Sequence, residues 1–497
     1  MTIENMIKRI HDITRQDAGI DGDAQRLSQI VWILFLKTFD YAEEKREHKN
    51  DYKTIIPKGY RWRDWAKNNQ LTGENLIDFV DNKLFPVLRG NAIKDENGNN
   101  IVLFEGTDNQ SLLVKEFMKD STNYMKDGIL LKDIINLFEE VDFSDSGERH
   151  KFNDIYETLL SGLQSAGKSG EFYTPRALTN FCIDKINPQI GETIADFACG
   201  TGGFLIDALK HLQSQIKDED IETNNILQSS LYGVEKKQLP YMLCTTNLLL
   251  NGINEPNILH GNSLETNLLD YTEADKFNVI IMNPPYGGKE QTSIQQNFPS
   301  DFRTSETADL FIVEILYRLH KNGRVAIILP DGFLFGNDRA KTNIKQKLMN
   351  ECNLHTIIRL PKTCFAPYTS IATNLLFFDK TGKTKETWFY RMDIPYGYKA
   401  FSKTKPLQRS HMINIDKWWN NRIEIKDTDT DTFKAKKFTY EEIEASGFNL
   451  DLCGYQTKKD IILSPEETIL NFKIKRDELN KKIDEQLAII LKLLEEE

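Results

Sequence analysis

At 497 residues the chain is longer than one hydrophobic core organises, so two or three domains are expected. Its 40% hydrophobic and 28% charged residues are those of an ordinary globular protein, and Met1-Thr2-Ile3-Glu4 lacks the basic, then apolar opening of a signal peptide. The net charge of −11 argues against strong independent binding to nucleic acid, because phosphate contacts supply most nonspecific affinity. A DNA substrate would need a partner chain to provide much of the grip.

Residues 1–150 read as a helical N-terminal domain. Ile7, Ile10 and Ile13 give one apolar stripe, and Leu27, Ile30, Val31, Leu34 and Phe35 give another at helical spacing. The aromatics of Tyr60-Arg61-Trp62-Arg63-Asp64-Trp65 read as partly buried core in preference to a base-stacking surface. Residues 91–100 form a polar turn. Further on, Gly162-Leu163-Gln164-Ser165-Ala166-Gly167-Lys168-Ser169 matches the phosphate-loop pattern GxxxxGKS. That mechanism needs a strand before the loop and a helix starting at the lysine. Here a helical pattern (Phe152, Ile155, Tyr156, Leu159) precedes it and Gly170 to Pro175 follow, so the segment reads as a mobile Gly/Ser linker.

From residue 151 to about 400 the pattern becomes alternating strand and helix. Thr193-Ile194-Ala195-Asp196 is a strand, followed by Cys199-Gly200-Thr201-Gly202-Gly203 and a helix from about Phe204. Glycines there let the backbone approach a ligand at a helix N-terminus. A hydride-transfer fingerprint GxGxxG would need a third glycine where Leu205 stands, so the loop suits a nucleoside without a pyrophosphate. The next strand, residues 231–235, ends in Glu235, placed for ribose hydroxyls. A third, near Ile258-Leu259-His260, leads to Asn262, which suits an adenine edge. The fourth, Phe277-Asn278-Val279-Ile280, is stopped by Asn283-Pro284-Pro285-Tyr286, since two prolines cannot donate to a ladder. An Asn side-chain oxygen and the Pro284 carbonyl at such an edge suit methyl transfer to a planar exocyclic amine. Accepting both amine hydrogens localises a lone pair otherwise delocalised into the ring, an interaction that gains strength in the transition state. Tyr286 would stack on the base. Taken alone, the same four residues are also ordinary strand-to-turn punctuation. An amphipathic helix over 308–319 is expected to be capped by Lys321-Asn322-Gly323, and strands are expected at 324–329, 357–358 and 373–378.

Residues 401–463 turn polar and read as a connector around Trp418-Trp419. Ser464-Pro465-Glu466-Glu467 is a helix start, and Ile469, Phe472, Leu479, Ile483, Ile490 and Leu493 then fall on a heptad seam interrupted by Arg476 and Gln486. A stripe of this kind over 464–497 needs a partner helix or must fold back on its own domain. The six cysteines (Cys182, Cys199, Cys244, Cys352, Cys364, Cys453) show no CxxC pair and no metal-ligand spacing, and no apolar run approaches a membrane span. They read as reduced thiols of a cytoplasmic protein, and no metal site is expected.

Gly170-Glu171-Phe172-Tyr173-Thr174-Pro175-Arg176, then Asp196 to Gly203, then Asn283 to Tyr286, resembles the methylation subunit of type I restriction–modification systems. That family comprises S-adenosylmethionine-dependent adenine-N6 DNA methyltransferases. The resemblance implies a Rossmann-like α/β methyltransferase domain, its mostly parallel sheet carrying an antiparallel edge strand, with a helical N-terminal domain and a C-terminal helical tail. It implies S-adenosylmethionine-binding roles for Glu171, Phe172, Tyr173, Thr174, Pro175, Arg176, Thr201, Gly202, Gly203 and Glu235. Asp196, Gly200 and Asn262 would support the cofactor, and Asp309, in Ala308-Asp309-Leu310-Phe311, would sit near its methionine end. Asn283, Pro284, Pro285 and Tyr286 would form the catalytic motif. Phe365 would be a second aromatic wall for an adenine flipped out of double-stranded DNA, with ordinary packing as the alternative. The implied partners are a specificity subunit, two methylation chains to one, and a separate restriction and translocase subunit. A methyltransferase acting on rRNA or on a protein glutamine, and a non-catalytic DNA-clamping scaffold, remain alternatives at this stage.

Overall fold

A computed structural model describes residues 3–48, 52–95, 97–141, 173–216, 221–366, 369–427, 432–454 and 465–495. The GxxxxGKS segment, the helix expected over 152–163, and Glu171 and Phe172 lie outside the described residues. The chain divides into two compact units, Met1–Gly454 and Tyr455–Glu497.

The first unit begins helical. Helix Asp23–Glu47 is apolar on every side through its middle, and Ile30 to Leu36 are completely buried. Such a helix belongs inside a core and not on its surface. It packs against helix Gln238–Leu250 of the following β/α region, so the helical part and the sheet share one apolar cluster. Helices Asn109–Lys119 and Gly128–Glu139 start at Asp108 and Asp127, whose carboxylates accept from two free backbone N–H groups each. Trp62 and Trp65 are buried against one another, and the Trp62 indole donates to Glu139 at 2.5 Å. They are core, as their pattern implied. The polar turn is the tip of a two-residue hairpin, β1 (Ile93–Lys94) with β2 (Asn100–Ile101).

The rest of the unit is one ten-stranded sheet. Its strands are β3 (Ile194–Asp196), β4 (Leu231–Glu235), β5 (Ile258–His260), β6 (Phe277–Met282), β7 (Leu319–Pro330), β8 (Asn353–Arg359), β9 (Thr373–Asp379), β10 (Glu386–Arg391), β11 (Ile425–Lys426) and β12 (Phe433–Thr439). The order is β11-β12-β10-β8-β9-β7-β6-β3-β4-β5. Pairings β3–β4, β3–β6, β4–β5, β6–β7 and β8–β10 are parallel. Strand β9 runs antiparallel between β7 and β8, and edge strand β11 is antiparallel to β12. The C-terminal ends of β3 to β8 and of β10 therefore open on one side, and that of β9 on the other.

Two expectations need correction. The connector over 401–463 is not a connector: β11, β12 and helices Ile413–Asn420 and Tyr440–Ala445 extend the sheet and its covering layer as far as Gly454. Part of the polarity that suggested a linker comes from Lys434, Lys436 and Lys437 on β12, next to the edge strand β11. The glycine cap after helix Thr307–Arg318 is also absent. The chain passes directly into β7, Leu319 pairs with Phe277, and Asn322, not Gly323, takes the left-handed φ of 64°.

The second unit holds one long helix, Pro465–Glu495, along which Ile469, Phe472, Leu479 and Ile483 are exposed. Among the described residues no helix is long and apolar enough to cross a membrane, and all six cysteines are buried free thiols.

Candidate active site

Four neighbouring strands end at one cleft. Strand β3 finishes in Asp196, and the chain then turns through Gly200 (φ 55°) and Gly202 (φ 82°) into helix Gly203–Ser214. Both angles favour glycine, and at Gly202 a Cβ would lie 2.8 Å from the Cys244 sulfur. Strand β4 delivers Glu235, β5 is followed by Gly261 and Asn262, and β6 delivers Asn283. Tyr173 and Thr174 close the cleft from the segment before helix Arg176–Ile186, and Gly200, Thr201, Gly203 and Pro285 also line it. Its empty space, open mouth included, is about 950 Å³.

The polar groups suit a nucleoside. Glu235 is nine-tenths buried; its Oε2 accepts from Gly200 N–H at 2.9 Å and its Oε1 from Lys237 N–H at 2.7 Å. Burial raises its pKa, and these two N–H groups oppose the rise. Each oxygen keeps a lone pair for a hydroxyl donor. Burial pushes the Asp196 carboxyl up to about 8, against one N–H from Ala198 at 3.1 Å, with the Glu235 charge adding to the rise. Asn262 accepts from Leu264 N–H through Oδ1 at 3.3 Å, while its buried Nδ2 has no partner among the described residues. A buried amide donor without an acceptor costs roughly 1–3 kcal/mol, which a ring nitrogen of a bound adenine would relieve. The glycine turn, the two buried carboxyls and this free donor line one side of the cleft.

At the end of β6, Asn283 Nδ2 donates to Thr174 Oγ1 at 3.1 Å, and the Tyr286 hydroxyl donates to Asn283 Oδ1. Burial raises the Tyr286 pKa, which keeps that hydroxyl a donor. Tyr286 thus reaches back to the Asn283 amide. Pro284 is buried, and Pro285 is exposed at the cleft wall.

Several expected residues do not line the cleft. Arg176 braces it from behind, donating to Gly203 O at 2.8 Å with Asp207 at 3.8 Å, and Pro175 caps its helix. Asp309 is buried and paired with Lys341 at 2.9 Å; burial raises it to about 6. Its neighbours on the same helix, Thr307 and Phe311, face the cleft instead. Phe365 is 3% exposed and packed in the main apolar cluster, so in this arrangement it is core and not a wall.

One group escaped sequence reasoning. Glu314, fully buried in the middle of helix Thr307–Arg318, accepts from Ser263 Oγ at 2.9 Å and from Arg318 Nη1 at 3.1 Å. The Arg318 guanidinium lies 4.3 Å from the Phe197 ring centre and 4.4 Å from that of Tyr271. This caged ion pair ties the Asn262-Ser263 turn to the helix behind it. Its signal in the sequence was an acid and a base at i,i+4 spacing inside an otherwise apolar stretch.

Comparison with known proteins agrees with this geometry. The N-6 DNA methylase family profile matches residues 147–462, and the HsdM N-terminal domain profile matches residues 3–138. The chain is 46% identical to the type I restriction enzyme EcoEI methylase subunit of Escherichia coli, over 99% of this chain and 98% of that one. It superposes with a TM-score of 0.76 and 37% identity on a modification subunit of a putative type I restriction enzyme from Vibrio vulnificus, covering 90% of this chain and 95% of that chain. A chain from a structural study of type I restriction–modification assembly and conformational transition gives a TM-score of 0.79 at 31% identity, with 98% of each covered. The protein with the cleft described above belongs to the N-6 DNA methylase family.

Proposed function

We infer that this chain is the methylation subunit of a type I restriction–modification system and transfers a methyl group from S-adenosylmethionine to adenine N6 in DNA. The observation that carries the reading is the placement of Asn283 beside the nucleoside-binding groups, at the end of a strand adjacent to the one bearing Asp196. When bound, S-adenosylmethionine supplies an electrophilic methyl group. Glu235 holds the ribose hydroxyls, Asn262 donates to the adenine edge, and the Gly200–Gly203 turn admits the ligand close to backbone. The target adenine leaves its stack to reach this edge, at a cost of a few kcal/mol. Its amine would take over the hydrogen bond that Tyr286 makes to Asn283 Oδ1 and donate a second to the Pro284 carbonyl; the methyl leaves a neutral thioether behind, and the methylated nitrogen then loses one proton to solvent. Thr174 holds the other end of the Asn283 amide, which fixes the orientation of Oδ1 before the amine arrives. DNA, a specificity subunit and a separate restriction subunit are the partners of this function.

Asn283→Ala is expected to lower the rate of methyl transfer by two to three decades, about 3–4 kcal/mol in barrier, while cofactor affinity stays near wild type. Labelled methyl transfer to DNA in the assembled complex and calorimetry on the same preparation measure the two quantities. Turnover close to wild type would remove Asn283 from the mechanism.

A further inference from the structure

The chain is acidic overall, yet one stretch is not. Between Asp393 and Asp416 there is no acidic residue, while Lys399, Lys403, Lys405 and Arg409 all fall inside it. Arg409 is committed to Asp184 and Asp416. Lys399, Lys403 and Lys405 are exposed, and none has a carboxylate partner among the described residues. The loop that carries them is built and not slack. Tyr398 N–H donates to Pro395 O at 3.0 Å, and Gly397 takes φ 81° at the third position, which makes a type II turn. The turn projects Tyr396, completely exposed, from its apex. Tyr398 packs on Phe401 and His411, with ring centres 5.8 and 5.2 Å away. Phe401 is buried, and its N–H donates to Thr363 Oγ1 at 3.0 Å, anchoring the loop to the one after β8. Ser402 and Lys405 exchange backbone hydrogen bonds of 3.0 and 3.1 Å, which puts Lys403 and Lys405 on one tight turn, with Lys405 Nζ 5.5 Å from the Tyr398 ring centre.

The position of this loop gives it meaning. It follows β10, which runs parallel to β6 and so ends on the edge where Asn283 stands. Four strand spacings separate β10 from β6, or roughly 20 Å at about 4.8 Å each. That distance corresponds to between five and six base pairs of duplex at about 3.4 Å per step. We propose that the loop 394–405 grips the DNA backbone about half a helical turn from the adenine in the cleft. Lys399, Lys403 and Lys405 pair with phosphates, and Tyr396 packs on the adjoining sugar or base edge. This rests on the DNA methylation reading above. An exposed tyrosine held out by a hydrogen-bonded turn has already lost the freedom that binding would otherwise remove.

The test uses the full chain assembled with its specificity subunit and a duplex containing its methylation site. The triple variant Lys399→Gln, Lys403→Gln, Lys405→Gln should bind DNA roughly tenfold or more weakly at 0.1 M salt, and its plot of log K against log salt should be shallower by about 2–3. Tyr396→Ala should weaken DNA binding with no change in that slope, because a neutral side chain releases no counterions. Cofactor affinity should be unchanged in both. Unchanged DNA affinity and salt slope in the triple variant would overturn the proposal, as would loss of the specificity subunit, which would make the loop a protein contact. If the wild-type complex methylates no DNA, the functional reading itself fails, and that outcome is separate from any behaviour of the variants.

Discussion

Asp196 holds a carboxyl at the end of β3 with a single backbone donor beside it, and burial lifts its pKa from the ordinary 3.8 to about 8. The unfolded chain releases this proton near pH 4 and the folded one near pH 8, so between those values the native state binds more protons. Stability then falls as pH rises through that window. Asn in its place carries no such dependence, so Asp196→Asn should gain thermal stability relative to wild type at pH 8 over what it shows at pH 5. Melting temperatures of the two proteins at both values check this; an equal difference at both would mean that Asp196 is already ionised in the fold. At this scale the placements legible in the sequence were those set by the local chain. Gly200, Gly202, Glu235, Asn262 and Asn283 each sit at a strand end, where chain order alone dictates the edge. Asp309 and Phe365 were misplaced because side-chain direction and burial depend on distant neighbours. Lys341 and the main apolar cluster claim them, and neither was visible from their own segments.

At the scale of elements, helix Thr307–Arg318 does more than cover the sheet. Through Glu314 it fixes Ser263, and with it the turn that presents Asn262 to the cleft. Removing one member of a buried ion pair leaves the other charge stranded, typically at a cost of about 3–5 kcal/mol, whereas replacing both with apolar groups is often neutral. Glu314→Leu alone should therefore be strongly destabilised, and Glu314→Leu with Arg318→Met should recover most of the loss. The double variant should still bind S-adenosylmethionine more weakly than wild type, because Ser263 has lost its acceptor. Calorimetry on a double variant shown to be folded decides the matter; wild-type affinity there would reduce the pair to packing. The apolar strands β3 to β8 were readable because buried parallel strands are near-continuous runs of Ile, Val and Leu, and β9, antiparallel but equally buried, reads the same way. Strands β10, β11 and β12 were not: β11 and β12 lie at a lysine-bearing sheet margin, and β10, Glu386–Arg391, is a short aromatic run between charged ends without that signature. The handover from helix to β7 at Leu319 was hidden for another reason. Lys321-Asn322-Gly323 has the composition of a helix stop, and only the register against Phe277 shows that it belongs to the sheet.

For the whole molecule, the net charge of −11 and the single long helix of the second unit lead to one expectation. A chain of this charge meets a polyanion poorly by itself, apart from the basic loop argued above, so base readout and most phosphate contact fall to another chain. Helix Pro465–Glu495 begins with Pro at its first position and acids in its first turn, and carries Ile469, Phe472, Leu479 and Ile483 in the open. A stripe of large apolar side chains is stable in water only when another helix covers it. The specificity subunit of the proposed function is the occupant that fits. Both needs, grip on DNA and cover for the helix, would then be met by the same partner. Deleting the described helix, 465–495, should abolish co-purification with the specificity subunit and site-specific methylation together, while S-adenosylmethionine affinity of the shortened chain stays at the wild-type value. The cleft is built wholly from residues before Gly454, which is why the two properties should separate. A shortened chain that still assembles and still methylates one defined site would show that the docking surface lies in the first unit, and that the exposed stripe serves some other contact.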